Sequence, residues 1–423
     1  MTAAFQSLLG VVGIPAIALA MSTNRASLAS ARTLRVVAIV LAAQAAIGLV
    51  LLKVPQSRLL FEAIGGIVQA LQAATEEGMR LVFGYLAGAP APFDLKHPAN
   101  GFLLGFRALP LILLMSALSR LLYHWGVLQR IVGALAALFK HGLGISGPLA
   151  TASAANIFLG MVEAPLLVRP YLGGLGRGAL FATMVVGMAT IAGTVMALYA
   201  AILEPVVPGA AGHVLAASLM SAPGALMLAR LVEPDGFDEG PATTGAILEN
   251  PPRSSIDALT QGALDGIQLL ASVIALLIVM VATVALANAI LGAALSPFGL
   301  KLTVQQILGW IAAPVAFLIG IPWSEAATAG SLIGQKIVLN ELVAYLDMAR
   351  LPPEALSPRS RLILTYALCG FANMASLGIM IGGMTAMVPA RSAEIVRLAP
   401  KAVLVGLMAT LLSGAIIGTI TWT

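Results

Sequence analysis

Long apolar runs constrain the fold of this chain more than any other feature of its sequence. Eight of them reach the roughly 20 residues that a helix needs to cross a bilayer. They cover residues 4–21, 34–53, 101–123, 178–203, 212–231, 266–295, 361–384 and 400–422. Of all residues, 59% are hydrophobic and only 10% are charged, whereas about a quarter are charged in a typical soluble protein. The sequence therefore predicts an all-α polytopic membrane protein with about eight transmembrane helices, surrounded by lipid bilayer.

The net charge of +5 is better explained by membrane topology than by nucleic-acid binding. Lysine and arginine cluster at 25–35, 120–140, 169–177, 391–401 and just after 229. With the N-terminus outside, all these clusters lie on the cytoplasmic side, as the positive-inside rule requires. The arginines at 350, 359 and 361 then lie outside, against that rule. A single cysteine, Cys369, excludes an intrachain disulfide and a cysteine-rich metal site.

The chain divides into five predicted regions. These are N-terminal spans at 1–123 that act mainly as scaffold, a first repeat at 124–231, a polar cytoplasmic loop at 232–258, a long scaffold span at 259–300 and a second repeat at 301–423. Within the first region, residues 56–88 combine spaced charges with an apolar pattern, which is typical of a helix lying in the membrane interface.

Two segments of the repeats are apolar enough to enter the membrane but are interrupted in the middle. Residues 144–172 carry Glu163, and residues 314–348 carry Glu341. A carboxylate at mid-bilayer depth costs roughly 2.5–3.5 kcal/mol. Unwound backbone at that depth also needs protein or a water-filled cavity around it. We therefore predict two opposed re-entrant hairpins in an inverted repeat, an arrangement typical of secondary transporters.

A short internal repeat supports this interpretation. The stretch "GMATIAGTVM" begins 24 residues after Glu163, and "GFANMASLGI" begins 29 residues after Glu341. In the alignment Thr190 faces Asn373 and Gly193 faces Ser376. Small residues at such spacing also occur wherever membrane helices pack closely, but here they follow an intramembrane carboxylate in both halves.

Each polar residue also has a structural interpretation. Glu163 could pair with Arg169, and Glu341 could pair with Lys336. Asn156, Asn340 and Glu325 could be helix caps. Thr190 and Asn373 could form hydrogen bonds between helices, and Ser376 could bond to the backbone carbonyl four residues before it.

Four stretches resemble the signatures of the concentrative nucleoside transporters. They are "AANIFLGMVEAPLLVRPYL", "GMATIAGTVMALY", "LNELVAY" and "YALCGFANMASLGIMIGG". The resemblance implies a homotrimer in the inner membrane, a scaffold with a mobile transport domain, and sodium- or proton-coupled nucleoside symport by an elevator-like movement.

The resemblance also implies site residues. A sodium ion would bind between Asn156, Leu159, Thr190 and Ile191. The ribose would contact Glu341, Asn373 and Ser376, with Phe371 packing nearby. The base would meet Gly160, Met161, Val162 and Glu163, where the family normally has Gly-Gln-Thr-Glu. Met161 and Val162 offer the base no hydrogen bond, which predicts altered base recognition.

Several alternatives remain at this point. The cargo could be a modified nucleoside or a sugar-like metabolite, and the coupling ion could be a proton. An intramembrane hydrolase would need a nucleophile or a metal motif, which the sequence does not contain, so no enzyme is expected and no cofactor beyond the coupling ion. A passive channel does not need two broken hairpins.

Overall fold

A computed structural model describes residues 3–25, 31–54, 56–94, 103–239 and 251–421, and within these ranges the regular secondary structure is entirely helical. The first nine helices are α1 (Ala3–Ala20), α2 (Ala31–Lys53), α3 (Gln56–Phe83), α4 (Leu104–Arg107), α5 (Leu111–His124), α6 (Val127–Leu143), α7 (Gly147–Ala155), α8 (Glu163–Leu166) and α9 (Arg169–Leu172). The other ten are α10 (Arg177–Ala189), α11 (Gly193–Leu203), α12 (Ala210–Val232), α13 (Ser255–Leu295), α14 (Val304–Leu318), α15 (Trp323–Val338), α16 (Glu341–Arg350), α17 (Pro358–Leu368), α18 (Met374–Met387) and α19 (Ser392–Ile420).

The all-α multi-pass class is confirmed, but several of the eight predicted spans differ from a single continuous helix. The predicted span 178–203 is divided into α10 and α11 by residues 190–192. Six helical stretches of the described chain are long and apolar enough to cross a membrane. The predicted span 4–21 forms a shorter apolar helix, α1. The predicted span 361–384 is divided into α17 and α18, because residues 369–373 leave the helical conformation. A seventh crossing would arise if α14 and α15, which meet at a bend of 117°, form one broken span.

The predicted interfacial helix and polar loop also have structural counterparts. Residues 56–83 form α3, and a 3-10 turn follows at Gly84–Ala87. The polar loop ends earlier than predicted, because Ser254 caps α13 by accepting the backbone N–H of Asp257 at 3.1 Å. Residues 240–250 of that loop lie outside the described residues.

Burial separates an inner body, which contains α10–α12 and α17–α19, from the exposed outer helix α13. In α12 and in the stretch containing α19, 89% of the most apolar membrane-length segment is buried inside the protein. In the stretch containing α13, only 6% of the corresponding segment is buried. An apolar helix that stays so exposed has the surface expected against lipid or another copy of the chain. The interrupted helices α10–α11 and α17–α18 pack with α12 and α19 in the inner body.

Two of the three arginines that depart from the positive-inside rule bind helix ends. Arg361 donates to the carbonyls of Met348 (2.8 Å) and Pro352 (2.8 Å), just where α16 ends. Arg359 donates to the carbonyl of Gly418 at 2.7 Å. Cations are favourable at helix C-termini, where carbonyls lack helical partners. These two arginines therefore have a local structural role that a charge count cannot detect.

An ionic cluster lies just beyond the end of α12. The carboxylate of Glu233 is buried and accepts from Arg177 Nε (3.1 Å), Lys401 Nζ (2.8 Å) and Thr23 Oγ1 (3.2 Å). It ties the start of α10 and the end of α12 to Lys401 within α19. Burial by itself raises the pKa of Glu233, but the hydrogen bonds and charges of Arg177 and Lys401 outweigh it and lower the pKa below its usual 4.5.

This cluster predicts acid sensitivity. A carboxyl whose pKa is lower in the folded state adds stability that is complete above the unfolded-state value and is lost as the pH falls through the folded-state value. We expect the thermal stability of the wild type to drop below about pH 4.5. Glu233→Gln should have a free energy of unfolding roughly 1–3 kcal/mol lower than the wild type at neutral pH. Its stability should also change less as the pH falls. Thermal unfolding of both proteins between pH 3 and pH 7 measures this. If the stability of both proteins changed with pH in the same way, Glu233 would not be the source of the acid sensitivity.

Candidate functional site

The two interrupted helices meet at their breaks. Residues 190–192 separate α10 from α11, and residues 369–373 separate α17 from α18. The backbone N–H of Phe371 donates to the carbonyl of Thr190 at 3.2 Å. Thr190 begins the first break, and Asn373, with which the sequence repeat aligned it, ends the second break. The bond from Phe371 therefore places the two breaks side by side.

The first interrupted segment touches the first break. After α7 the chain is non-helical from Asn156 to Val162, and Glu163 then begins the short helix α8. The carbonyl of Phe158 accepts the backbone N–H of Gly193 at 2.8 Å. A Cβ atom on Gly193 would lie only 2.8 Å from the same oxygen. Glycine is therefore needed here for the two backbones to approach each other.

The second interrupted segment delivers Glu341 to the other break. Between α15 and α16 only Leu339 and Asn340 are non-helical, and the Asn340 side chain caps α16 by accepting the N–H of Val343 at 3.0 Å. Glu341 Oε2 accepts from Asn373 Nδ2 at 3.0 Å. Asn373 Oδ1 in turn accepts the backbone N–H of Ser376 at 2.7 Å. The amide thus caps α18 and holds the carboxylate at once.

Tyr199 connects Glu341 to the first half of the chain. Its hydroxyl, on α11, donates to Glu341 Oε1 at 2.5 Å, and both side chains are buried. The repeat did not identify this residue. The available signal was a phenol within the apolar stretch "MALYA", because a buried tyrosine hydroxyl usually has a hydrogen-bond partner.

All eight predicted substrate residues line one cavity of about 170 Å³. They are Gly160, Met161, Val162, Glu163, Glu341, Phe371, Asn373 and Ser376. Glu163 and Glu341 therefore face the same cavity. The Glu163 carboxylate lies against Gly160, so a Cβ at this position would require the carboxylate to move.

The cavity also has lining residues that were not predicted. From the inner body these include Thr194 and Tyr199, and from the outer helix α13 they are Leu269, Ser272, Val273 and Leu276. No local pattern in the long apolar run of α13 marks one of its faces as part of a binding site. The cavity lies where the inner body meets this helix.

The part of the cavity wall formed by Met161 and Val162 is apolar and closely packed. Met161 lies against Gly187, and Val162 lies against Gly383. Beyond the Glu163 carboxylate, the hydroxyl of Thr194 is a further polar group in the cavity lining. Met161 and Val162 are therefore part of the packing of the first interrupted segment.

The four predicted sodium residues lie in the two stretches that the Phe158–Gly193 bond joins. Asn156 is fully buried, and neither its Oδ1 nor its Nδ2 has a hydrogen-bond partner. Thr190 Oγ1 donates to the Val186 carbonyl at 2.9 Å, which leaves its lone pairs available. Leu159 and Ile191 lie in non-helical backbone. An orphaned amide beside unwound backbone fits a hard cation, because such ions prefer oxygen ligands.

The structure decides several of the structural alternatives. Glu341 takes its hydrogen bonds from Tyr199 and Asn373 rather than from Lys336. Asn340 is a helix cap, as one interpretation held. Glu325 accepts from the backbone and the hydroxyl of Ser357, at 3.1 and 3.2 Å, and stabilises the start of α17.

Comparison with known proteins identifies the family. Residues 9–86 and 213–418 match the models of the Na+ dependent nucleoside transporter N-terminus and C-terminus, and residues 105–206 match the nucleoside recognition model. The nucleoside permease NupC of Helicobacter pylori is 36% identical, over 98% of both chains. CNTnw in an inward-facing substrate-bound state is 38% identical, with a TM-score of 0.89 over 99% of this chain and 98% of that one. A CNTnw variant in an outward-facing state gives 0.91, at 38% identity and the same coverage. The chain therefore belongs to the sodium-dependent, concentrative nucleoside transporters, a family of membrane permeases and not of enzymes.

Proposed function

We propose that this protein is a sodium-coupled symporter that carries nucleosides across the inner membrane. One observation carries the proposal: residues from both repeats line one cavity, and the orphaned Asn156 lies in the segment that forms part of its wall. Neither repeat alone supplies the complete set of polar groups.

The second repeat holds the ribose. The Glu341 carboxylate and the Asn373 amide are fixed by each other and by Tyr199. Ribose hydroxyls both donate and accept hydrogen bonds, so a carboxylate that keeps free lone pairs and a neighbouring Ser376 hydroxyl suit the 2′ and 3′ positions. Phe371 packs beside them in the cavity wall.

The first repeat holds the cation, and the crossing of the breaks couples it to the nucleoside. A sodium ion on Asn156, Thr190 and Ile191 would order the break at 190–192. The Thr190 carbonyl in that break accepts the N–H of Phe371 on the ribose side. Each ligand thus lowers the ordering cost for the other, which is a coupling free energy between two sites.

Transport then requires the cavity to open to each side in turn. The inner body moves past α13, whose exposed apolar surface allows sliding without loss of specific polar bonds at the cavity wall. The similarity of this chain to CNTnw in both inward-facing and outward-facing states supports such a movement.

Uptake into proteoliposomes tests the proposal. An inward sodium gradient should drive accumulation of a radiolabelled nucleoside above equilibrium, whereas choline should not. A proton gradient in sodium-free buffer distinguishes proton coupling. If neither a sodium gradient nor a proton gradient drives accumulation of uridine, adenosine, inosine or guanosine, nucleoside symport is refuted.

The base preference follows from Met161 and Val162. The double change Met161→Gln with Val162→Thr supplies the polar groups that a pyrimidine edge can bind. Each restored bond in a buried site is worth roughly 1–3 kcal/mol, so uridine uptake should rise about tenfold or more relative to inosine. A competition panel that also includes a free sugar measures the change. An unaltered preference would place the base elsewhere in the cavity.

We also propose that the protein assembles as a homotrimer, as the family resemblance implies. The exposed apolar surface of α13 and the amphipathic helix α3 provide faces that a neighbouring copy can cover. The mass of the detergent-solubilised protein, corrected for bound detergent, distinguishes one copy from three.

A further inference from the structure

Two clefts near the substrate cavity have no role in the function proposed above. They lie where α13 and α14 meet the second interrupted segment, and their volumes are about 380 and 450 Å³, whereas the substrate cavity has about 170 Å³. Four polar residues line both clefts, which therefore share one wall. These residues are Gln305, Gln335, Asp347 and Arg350. We call the two clefts together the polar cleft.

The polar cleft continues from the substrate cavity along α13 and α16. On α13, Leu276 lines the substrate cavity and the next residue, Leu277, lines the polar cleft. The lining then follows α13 to Asn288, which is about 17 Å farther along the helix axis at the α-helical rise per residue. On α16, Leu342 lines the cavity and Val343 lines the cleft. A solute in the polar cleft is thus next to the substrate cavity.

One buried acceptor in the polar cleft lacks a hydrogen-bond donor. The side chain of Gln335 is only 7% exposed, and its Oε1 has no hydrogen-bond partner. Its Nε2 donates weakly to the Ser331 hydroxyl, at 3.5 Å. An unpaired buried acceptor costs roughly 1–3 kcal/mol. Because Gln335 lines both clefts, a ligand with an N–H or O–H group can bind this oxygen from the cleft.

The charged groups of the polar cleft suit an uncharged polar solute. Asp347 and Arg350 line it from α16 with one negative and one positive charge. The carboxylate accepts hydrogen bonds and the guanidinium donates them. An anion would be repelled by Asp347 and a cation by Arg350, whereas a neutral solute that carries both donors and acceptors can bind to each. Nucleosides are such solutes, since ribose hydroxyls and base edges carry donors and acceptors together.

The Gln335 amide also matches the edge of a base. A primary amide presents an acceptor beside a donor, which is the arrangement by which asparagine and glutamine bind base edges in nucleic acids. In the substrate cavity, Met161 and Val162 offer the base no such group. The polar cleft therefore has the base-binding chemistry that this part of the substrate cavity lacks.

We propose that the polar cleft is a second nucleoside site, from which the nucleoside enters the substrate cavity. Gln335 binds the base edge, and Asp347 and Arg350 bind the remaining polar groups. The ligand class rests on the nucleoside transport proposed above.

A thiol introduced into the polar cleft measures its occupancy. The natural Cys369 is fully buried. Thr328→Cys adds a thiol at a half-buried position of the cleft wall. Its modification by a charged methanethiosulfonate, in detergent, is followed by mass spectrometry. With uridine or adenosine at about ten times the dissociation constant of the site, the rate should fall about tenfold, since only free sites react. Ser296→Cys, at an exposed position just after α13, should react at the same rate with and without nucleoside.

Two further changes in the Thr328→Cys protein separate the polar cleft from the substrate cavity. Glu341→Gln removes the carboxylate of the substrate cavity and should retain protection at the same nucleoside concentrations. Gln335→Met keeps the length of the side chain but removes its amide, and should raise the concentration needed for protection about tenfold or more.

Three results would overturn the second site. They are no protection at any nucleoside concentration, loss of protection in folded Glu341→Gln protein, and unchanged protection in folded Gln335→Met protein. If Glu341→Gln fails to fold, equal dissociation constants for protection and for binding of radiolabelled nucleoside would show a single site and overturn the inference. Protection needs no ion gradient. A protected protein without gradient-driven uptake would therefore refute symport and support the second site, whereas uptake without protection would overturn the second site alone.

Discussion

Replacing Glu341 with glutamine is expected to lower nucleoside affinity about a hundredfold. The carboxylate accepts from Tyr199 at 2.5 Å and from Asn373 at 3.0 Å. A glutamine has one oxygen, so its amino group must face one of these donors and leave it unpaired. Charge-assisted hydrogen bonds are about twice as strong as neutral ones, and each buried group left unpaired costs roughly 1–3 kcal/mol. The sum corresponds to about two orders of magnitude in affinity.

Binding and uptake of a radiolabelled nucleoside measure this effect, with thermal unfolding to verify the fold. Glu204→Gln is a matched control, because Glu204 accepts the backbone N–H groups of Gly209 and Ala210 at 3.0 Å in the loop after α11 and does not line the cavity. The control should bind nucleoside like the wild type. Nucleoside affinity within about threefold of wild type in Glu341→Gln would remove this residue from the ribose site.

Replacing Asn156 with leucine is expected to abolish sodium stimulation without weakening the fold. The amide is fully buried and both of its polar atoms lack partners. A leucine of similar shape removes this unsatisfied group, so the protein in choline should gain up to roughly 1–3 kcal/mol. Sodium should stabilise the wild type but not Asn156→Leu, because this variant lacks the amide that binds the ion. If Asn156 had only a structural role, its replacement by leucine would instead lower the stability of the protein in choline.

Thermal unfolding in sodium and in choline separates these effects. Asn288→Leu provides the contrast, because Asn288 donates to Gln305 at 3.0 Å and accepts the N–H of Val304 at 2.7 Å. That variant should lose stability in both salts and keep the sodium-dependent shift. A full sodium-dependent shift in Asn156→Leu would move the cation site away from this residue.

Much of the candidate site could be predicted because its signals are local. An intramembrane carboxylate, an interrupted apolar run and a small-residue stretch each depend on neighbours within about ten residues. The repeat relation between Thr190 and Asn373 identified two polar positions correctly, but a continuous helix was predicted around each, whereas the structure has a helix break at both. The span at 361–384 was predicted as continuous because hydropathy averages over a window and does not detect five non-helical residues within it.

The remaining features depend on contacts between distant parts of the chain. The bond from Tyr199 to Glu341 joins residues 142 positions apart. The face of α13 that lines the cavity is mainly apolar, with Ser272 as the polar member of its four lining residues. The boundary of the polar loop depended on a single capping serine, Ser254.

The sequence by itself determined the membrane class, the two interrupted segments and the residue types available for a cation and a ribose, since hydrophobicity and backbone breaks are properties of short stretches. Only the tertiary structure decided which polar atoms are paired. It joined Glu341 to Tyr199 and Asn373, gave Lys336 two neutral oxygens and left the Asn156 amide without a partner. The physical reason is that hydrogen bonding in a low-dielectric interior depends on distances between atoms that the chain brings together only when it folds.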